Sequence, residues 1–191
     1  MSIFDFTLLF TGPDAQTDER LDALFEAGCD DATFGSRENI QFADFSREAE
    51  TMAEAIATAV ETLERTVEGV QVFRIEPEEL VSPAVIGART SRSDQSITYL
   101  YAGVRGPGDF PSPAAWVDAR KKLWRWSEVV SWFRVKKGIE FDVTGSVEAI
   151  ALFNSILDIR LHAKRLQNDK ERRVLKEFVE KDTELHNLLT V

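Results

Sequence analysis

Between Ile3 and Glu76 the apolar residues switch between a two-residue and a 3.6-residue period, and no other feature constrains the fold of this chain as much. IFDFTLLF, Ile3 to Phe10, is rich in aromatic and β-prone residues and stops at Gly12-Pro13, which predicts a strand. Asp18 is placed to cap a helix over ERLDALFEAG, with Leu21, Leu24 and Phe25 on one face and Gly28 as its stop. CDDATFG and NIQFADF read as two short strands joined by a turn around Gly35 to Asn39. From Glu48 to Glu68, Met52, Ile56, Val60 and Leu63 recur at helical spacing. VQVFRIE, Val70 to Glu76, closes the region as a strand that sets Val72, Arg74 and Glu76 against Gln71, Phe73 and Ile75.

The resulting β-α-β-β-α-β order predicts a ferredoxin-like domain over residues 1–77, four strands with two helices on one face, and an α+β class for the chain. Its acidic residues predict a solvated surface. Asp30 and Asp31 are adjacent and would point to opposite faces of a strand, and no histidine precedes His162. The single cysteine, Cys29, has no disulfide or metal partner, and it reads as a small buried apolar residue in a reducing compartment. No apolar run is long enough to span a membrane and no leader precedes the first strand, so a cytoplasmic chain is expected.

Charge divides the chain differently from hydrophobicity. The net of −10 argues against nucleic acid, whose binding depends on basic side chains that displace counterions. Residues 1–81 carry 19 acidic against 5 basic side chains, however, whereas residues 82–137 carry 10 basic against 4 acidic. The acidic total conceals a basic middle. There Ser82 and Pro83 form a cap and first helical residue for SPAVIGARTS, with Val85, Ile86 and Ala88 facing a core. A second helix is expected from Ser91, whose hydroxyl caps while Asp94 completes an S-x-x-D box, with Ile97, Leu100 and Tyr101 buried and Gly103 at the end. Two short helices around a tight Thr90-Ser91 turn make a helix-turn-helix. Arg92, Ser93, Gln95, Ser96 and Tyr99 then bear the hydrogen-bonding side chains of a reader helix over about 91–102.

The stretch that follows, with Arg105-Gly106, FPSPAAW and LWRWSEVVSWF after SRSDQSITYL, resembles the winged helix-turn-helix of the MerR/excisionase superfamily, closest to small phage-type and actinobacterial-style regulators. The resemblance covers about residues 78–133. It implies double-stranded DNA as partner, a wing of two strands around AAWVDARKKLWRW with Asp118 to Lys122 at its tip, and Ser127 capping a third helix. Arg105, Arg120, Lys121, Lys122 and Arg125 would follow phosphates or enter the minor groove. Asp94 departs from the pattern, because a carboxylate on the reader face repels phosphate. Trp116, Trp124, Trp126 and Trp132, with Phe110 and Phe133, are expected to support a small core instead of stacking on bases.

After Gly145, Val147, Ile150, Phe153, Leu157 and Leu161 trace one helical face, Asn168 and Glu171 suggest a second cap, and Val174, Leu175 and Phe178 continue the stripe. Two helices in a hairpin are expected within the C-terminal region over residues 138–191, with one helix of about 45 residues as the alternative. Such a stripe must bury against the first domain or a second copy, and superfamily relatives commonly dimerise this way. GPGDF lacks the strand and long helix of a nucleotide loop, and no nucleophile pattern is present. The reading is a DNA-binding regulator with no cofactor or metal and no enzymatic activity, a homodimer whose N-terminal domain meets an effector or protein. The alternative is a protein-interaction or antitoxin-like module whose acidic domain binds a partner.

Overall fold

In the computed structural model, which describes residues 1–77, 79–115, 122–139, 141 and 147–184, six elements of the acidic region follow the order that the periodicity predicts. They are β1 (Ser2–Thr11), α1 (Asp18–Glu26), β2 (Ala32–Arg37), β3 (Ile40–Ala49), α2 (Met52–Thr66) and β4 (Gln71–Glu76). The four strands form one antiparallel sheet in the order β2-β3-β1-β4. Alternation gives the sheet two unlike faces. Phe6, Leu8, Phe10, Ala43 and Phe45 are buried with Leu24 of α1 and Ile56 and Leu63 of α2. On the opposite face Thr7 donates to Asp44 and Ser46 donates to Asp5, both at 2.7 Å.

Several local expectations change in this domain. The hairpin turn is Glu38-Asn39, both at positive φ (52° and 65°), the conformation that a two-residue connection between twisted strands requires. Gly35 lies inside β2, where a Cβ would come within 2.3 Å of the Phe42 ring. Thr17, not Asp18, is the N-cap of α1, and Phe25 is exposed because only Leu24 on that helix reaches the sheet. At the other end Gly28 (φ 95°) ends α1 as predicted. Its N–H donates to Phe25 O and that of Cys29 to Leu24 O, which satisfies the last carbonyls. Strict alternation fails in β4. Leu9 pairs with Arg74 and Phe10 with Val72, so Phe73 is an extra residue, and this bulge lets both Val72 and Ile75 face the core. Asp31 is not simply a solvated acid. It receives Arg47 at 2.7 and 2.9 Å, and Arg47, which also donates to Gly28 O, is buried. The hydrogen bond to Asp31 holds the guanidinium pKa above its ordinary value. Burial pushes the Cys29 thiol upward, in keeping with an apolar core position.

The basic region adds β5 (Leu80–Val81), α3 (Pro83–Arg89), α4 (Asp94–Tyr101), β6 (Trp124–Arg125) and α5 (Trp126–Lys137) around a second core. Trp124, Trp126, Val129, Val130, Trp132 and Phe133 are buried there with Ile86, Ile97 and Leu100. Val85 and Ala88, expected inward, are exposed, since α3 presents only Ile86 and Gly87 to this core.

Two C-terminal helices follow, α6 (Val147–Arg165) and α7 (Asp169–Lys181), the second capped by Asn168 as predicted. α6 lies along the free edge of β4. The Asn154 amide accepts from Ile75 N and donates to Ile75 O, both at 2.8 Å. Arg160 pairs with Glu64 at 2.7 Å and donates to Val72 O, while Val72 N donates to Glu64. Side chains thus pair the β4 groups that an unprotected sheet edge would leave for another strand. Val147 joins the second core, whereas Ile150 and Leu157 join the first, so α6 fastens both. α7 buries nothing: Val174, Leu175, Phe178 and Val179 are 65, 54, 66 and 50% exposed. Among the described residues no helix is long and apolar enough to cross a membrane.

Candidate nucleic-acid interface

A tight turn sets the two short helices of the basic region. Ser82 caps α3 by accepting from Val85 N, with Pro83 as its first residue, as the sequence predicts. Gly87 then lets the chain fold back on itself. Its carbonyl accepts from Arg92 N at 2.7 Å, and a Cβ there would lie 2.6 Å from Arg92 O. Ser91 takes φ 53° in this turn and is not a cap. The cap of α4 is Ser93, which accepts from Ser96 N at 3.2 Å, so the helix begins two residues later than expected, at Asp94. Ile97 and Leu100 bury its inner face, and Gly103 (φ 69°) ends it.

The later start changes what the expected reader residues present. Arg92 lies in the turn, its guanidinium carbon 5.3 Å from the Phe133 ring centroid and its Nε buried without a partner among the described residues. It supports the joint between turn and α5; it does not head the outer face. Ser93 spends its hydroxyl lone pair on the cap, and Ser96 is half-buried. Asp94 leans back toward α3, where its Oδ1 lies 3.3 Å from the place a Gly87 Cβ would take. Ser93, Asp94 and Gln95 are exposed on the outer side, and Gln95 reaches the half-buried Tyr99. The Gln95 amide donates to the Tyr99 hydroxyl at 2.8 Å, and the exposed Arg105 places its guanidinium 5.1 Å from the Tyr99 ring centroid.

Of the expected basic wing, Trp116, Arg120 and Lys121 lie outside the described residues. Its base is a bridge between Ala115 and Leu123, with Ala114 N donating to Leu123 O at 2.8 Å. β6 also pairs on its other side with β5, a strand the sequence reading missed. Lys122 sits 5.8 Å from the Tyr101 ring centroid. Arg125 is the exposed N-cap of α5 and meets Glu128 at 3.7 Å.

The third helix starts differently from the expectation. Trp126 opens α5 instead of ending a strand, and Ser127 is not the cap. Glu79 performs that task from a distant part of the chain. Its backbone carbonyl accepts from Trp126 N at 2.7 Å, and its carboxylate accepts from Ser127 Oγ at 2.6 Å and Ser127 N at 3.3 Å. Burial raises the Glu79 pKa against these stabilising donors. A lone glutamate between two strand fragments carries no local signal of such a role. Arg89 was missed as well. It stacks on Trp126 at 5.0 Å and lines a cleft with Asp5, Asp44 and Glu76 of the sheet.

The tryptophans form the support for this surface. Trp124 donates to Pro111 O at 2.9 Å and Trp132 to Gly108 O at 3.0 Å, which ties the loop after α4 to the core. Phe110 meets both rings edge-on, at 6.3 and 4.9 Å. Among the described residues no group of three or more His, Cys, Asp or Glu could hold a metal ion. No protein-family model matches the chain, and comparisons with curated proteins and with solved structures found no significant match.

Proposed function

We propose that the chain is a dimeric, sequence-specific DNA-binding regulator. It would combine a ferredoxin-like domain over residues 1–77, a winged helix-turn-helix of MerR/excisionase type over residues 78–137 and a C-terminal dimerisation region. The observation that carries this reading is the α3-turn-α4 pair, closed at Gly87 and held by its own aromatic core, with the polar outer side of α4 free. Such a helix fits the major groove, and the exposed Arg105, Arg125, Arg134 and Lys137 suit the flanking phosphates. Mobility shifts of the full chain on random duplex DNA test it. Log affinity should fall linearly with log salt, and replacing Lys121 and Lys122 should weaken all sequences alike. Absence of any binding at low salt overturns the reading.

The exposed face of α7 supports pairing with a second copy. Its charges alternate in sign along its length, Lys170, Arg172, Arg173, Lys176 and Lys181 among Asp169, Glu171, Glu177 and Glu180, and Lys176 pairs with Glu180 and Lys181 with Glu177 within the helix. Two such helices laid antiparallel cover both apolar stripes, giving the two-fold arrangement a palindromic site would need. A protein-interaction or antitoxin-like module, with DNA binding secondary or lost, is favoured by one observation. The outer sheet face, with Asp5, Asp44, Glu48 and Glu76, is exposed. Pull-down of a basic partner by a chain that fails to bind DNA would establish that reading instead.

A further inference from the structure

We infer that Gln95 reads an adenine in the major groove and that Tyr99 is the residue that positions it. The inference rests on the DNA-binding reading above and goes beyond it by naming the base. It starts from what the outer side of α4 has left to offer. Arg92, which would favour guanine through two donors, is drawn onto Phe133, and Asp94 is turned toward α3. The exposed Ser93 uses one hydroxyl lone pair in capping, and Thr98 donates its hydroxyl to Asp94 O at 2.9 Å. Gln95 is an exposed side chain that offers an acceptor together with a donor, and its amide is fixed in direction.

The fixing comes from the next turn. One of the two N–H bonds of the Gln95 amide points to the Tyr99 hydroxyl at 2.8 Å, and the Tyr99 ring is in turn flanked by the Arg105 guanidinium. This leaves the Gln95 carbonyl and its second N–H, one acceptor beside one donor. Adenine presents the complement, an N6 amino donor next to the N7 acceptor. Guanine sets two acceptors there, so its O6 would face the Gln95 carbonyl oxygen. A glutamine swinging freely loses rotamer entropy with every base and can present its amide either way round, and the Tyr99 bond removes that freedom before DNA arrives.

The test is selection of bound duplexes from a random pool by the full chain, repeated with Gln95→Ala and Tyr99→Phe. Gln95 is exposed and Tyr99→Phe keeps the half-buried ring against Arg105, so the fold is retained. The wild-type chain should select a motif containing an A·T pair favoured on the order of tenfold or more. Gln95→Ala should relax that one position and leave the others. Tyr99→Phe should weaken discrimination at the same position, a coupling that a merely structural tyrosine would not produce. Replacing the selected adenine by 7-deazaadenine should cost the wild-type chain affinity and Gln95→Ala none. A motif unchanged in Gln95→Ala overturns the inference while DNA binding stands. Relaxation by Gln95→Ala but not by Tyr99→Phe removes the positioning role. Failure of the wild-type chain to bind any duplex overturns the inference together with the reading beneath it.

Discussion

α6 and α7 are consecutive helices with similar apolar stripes, yet one is built into the molecule and the other is bare. α6 is fixed by polar side chains as much as by apolar ones. Asn154 and Arg160 meet the open edge of β4 at Ile75 and Val72, and these bonds decide which way the helix lies. α7 has apolar residues at helical spacing but no such partners among the described residues. A hydrophobic stripe is non-directional and says that something must cover it; paired hydrogen bonds at a sheet edge say what.

The sharpest way to break this contrast is in the core that α6 joins to the sheet domain. Trp124→Ala removes a fully buried ring and its bond to Pro111, and should destabilise the basic region by about 3–5 kcal/mol in denaturant unfolding. A smaller loss would mean that the aromatic core collapses around the gap. Next comes Asn154→Leu, which keeps much of the apolar volume but leaves the Ile75 N–H and carbonyl unpaired. It should cost roughly 2–3 kcal/mol, whereas a loss near zero would show that the edge bonds do not hold α6. Phe178→Ser on α7 should change unfolding by no more than about 0.5 kcal/mol, yet abolish self-association in sedimentation equilibrium. A large stability loss there would mean that α7 packs on its own chain.

The smallest effect concerns Glu79. Burial raises its folded pKa above the ordinary carboxyl value, so the folded chain holds the proton more tightly than the unfolded chain. This contribution favours folding below the unfolded value near 4.5 and is lost as pH rises through the folded pKa. Glu79→Gln stays neutral throughout, so its stability relative to the parent chain should improve between pH 4 and pH 7. A constant difference across that range would show that Ser127 compensates the buried charge in full.

Much of this was legible in the residues. The periods of Phe6, Leu8 and Phe10, and of Met52, Ile56 and Leu63, specify strand and helix because burial on one face demands them. The Ser82-Pro83 start, the Gly28 and Gly103 stops and the Asn168 cap are local chemistry, satisfied within a turn of the chain. The candidate interface was legible in outline only. A Ser-x-x-Asp pattern from Ser91 to Asp94 fits a cap as well as Ser93 to Ser96 does, and the choice fell to Gly87, whose close contact with the turn forces Ser91 to positive φ. That shift of two residues moved Arg92 from the expected outer face into the joint with Phe133 and left Gln95 exposed beside Tyr99.

By itself, then, the sequence determined the order of elements in the acidic region, its separation from a basic and aromatic middle, and the helix ends at Gly28, Ser82-Pro83, Gly103 and Asn168, because these depend on neighbours a few residues apart. Only the tertiary structure decided the bulge at Phe73, the capping of α5 by Glu79, the docking of Asn154 on Ile75 and the withdrawal of Arg92. Each of these is set by contact with residues far away in the chain, and periodicity carries no information about distant partners.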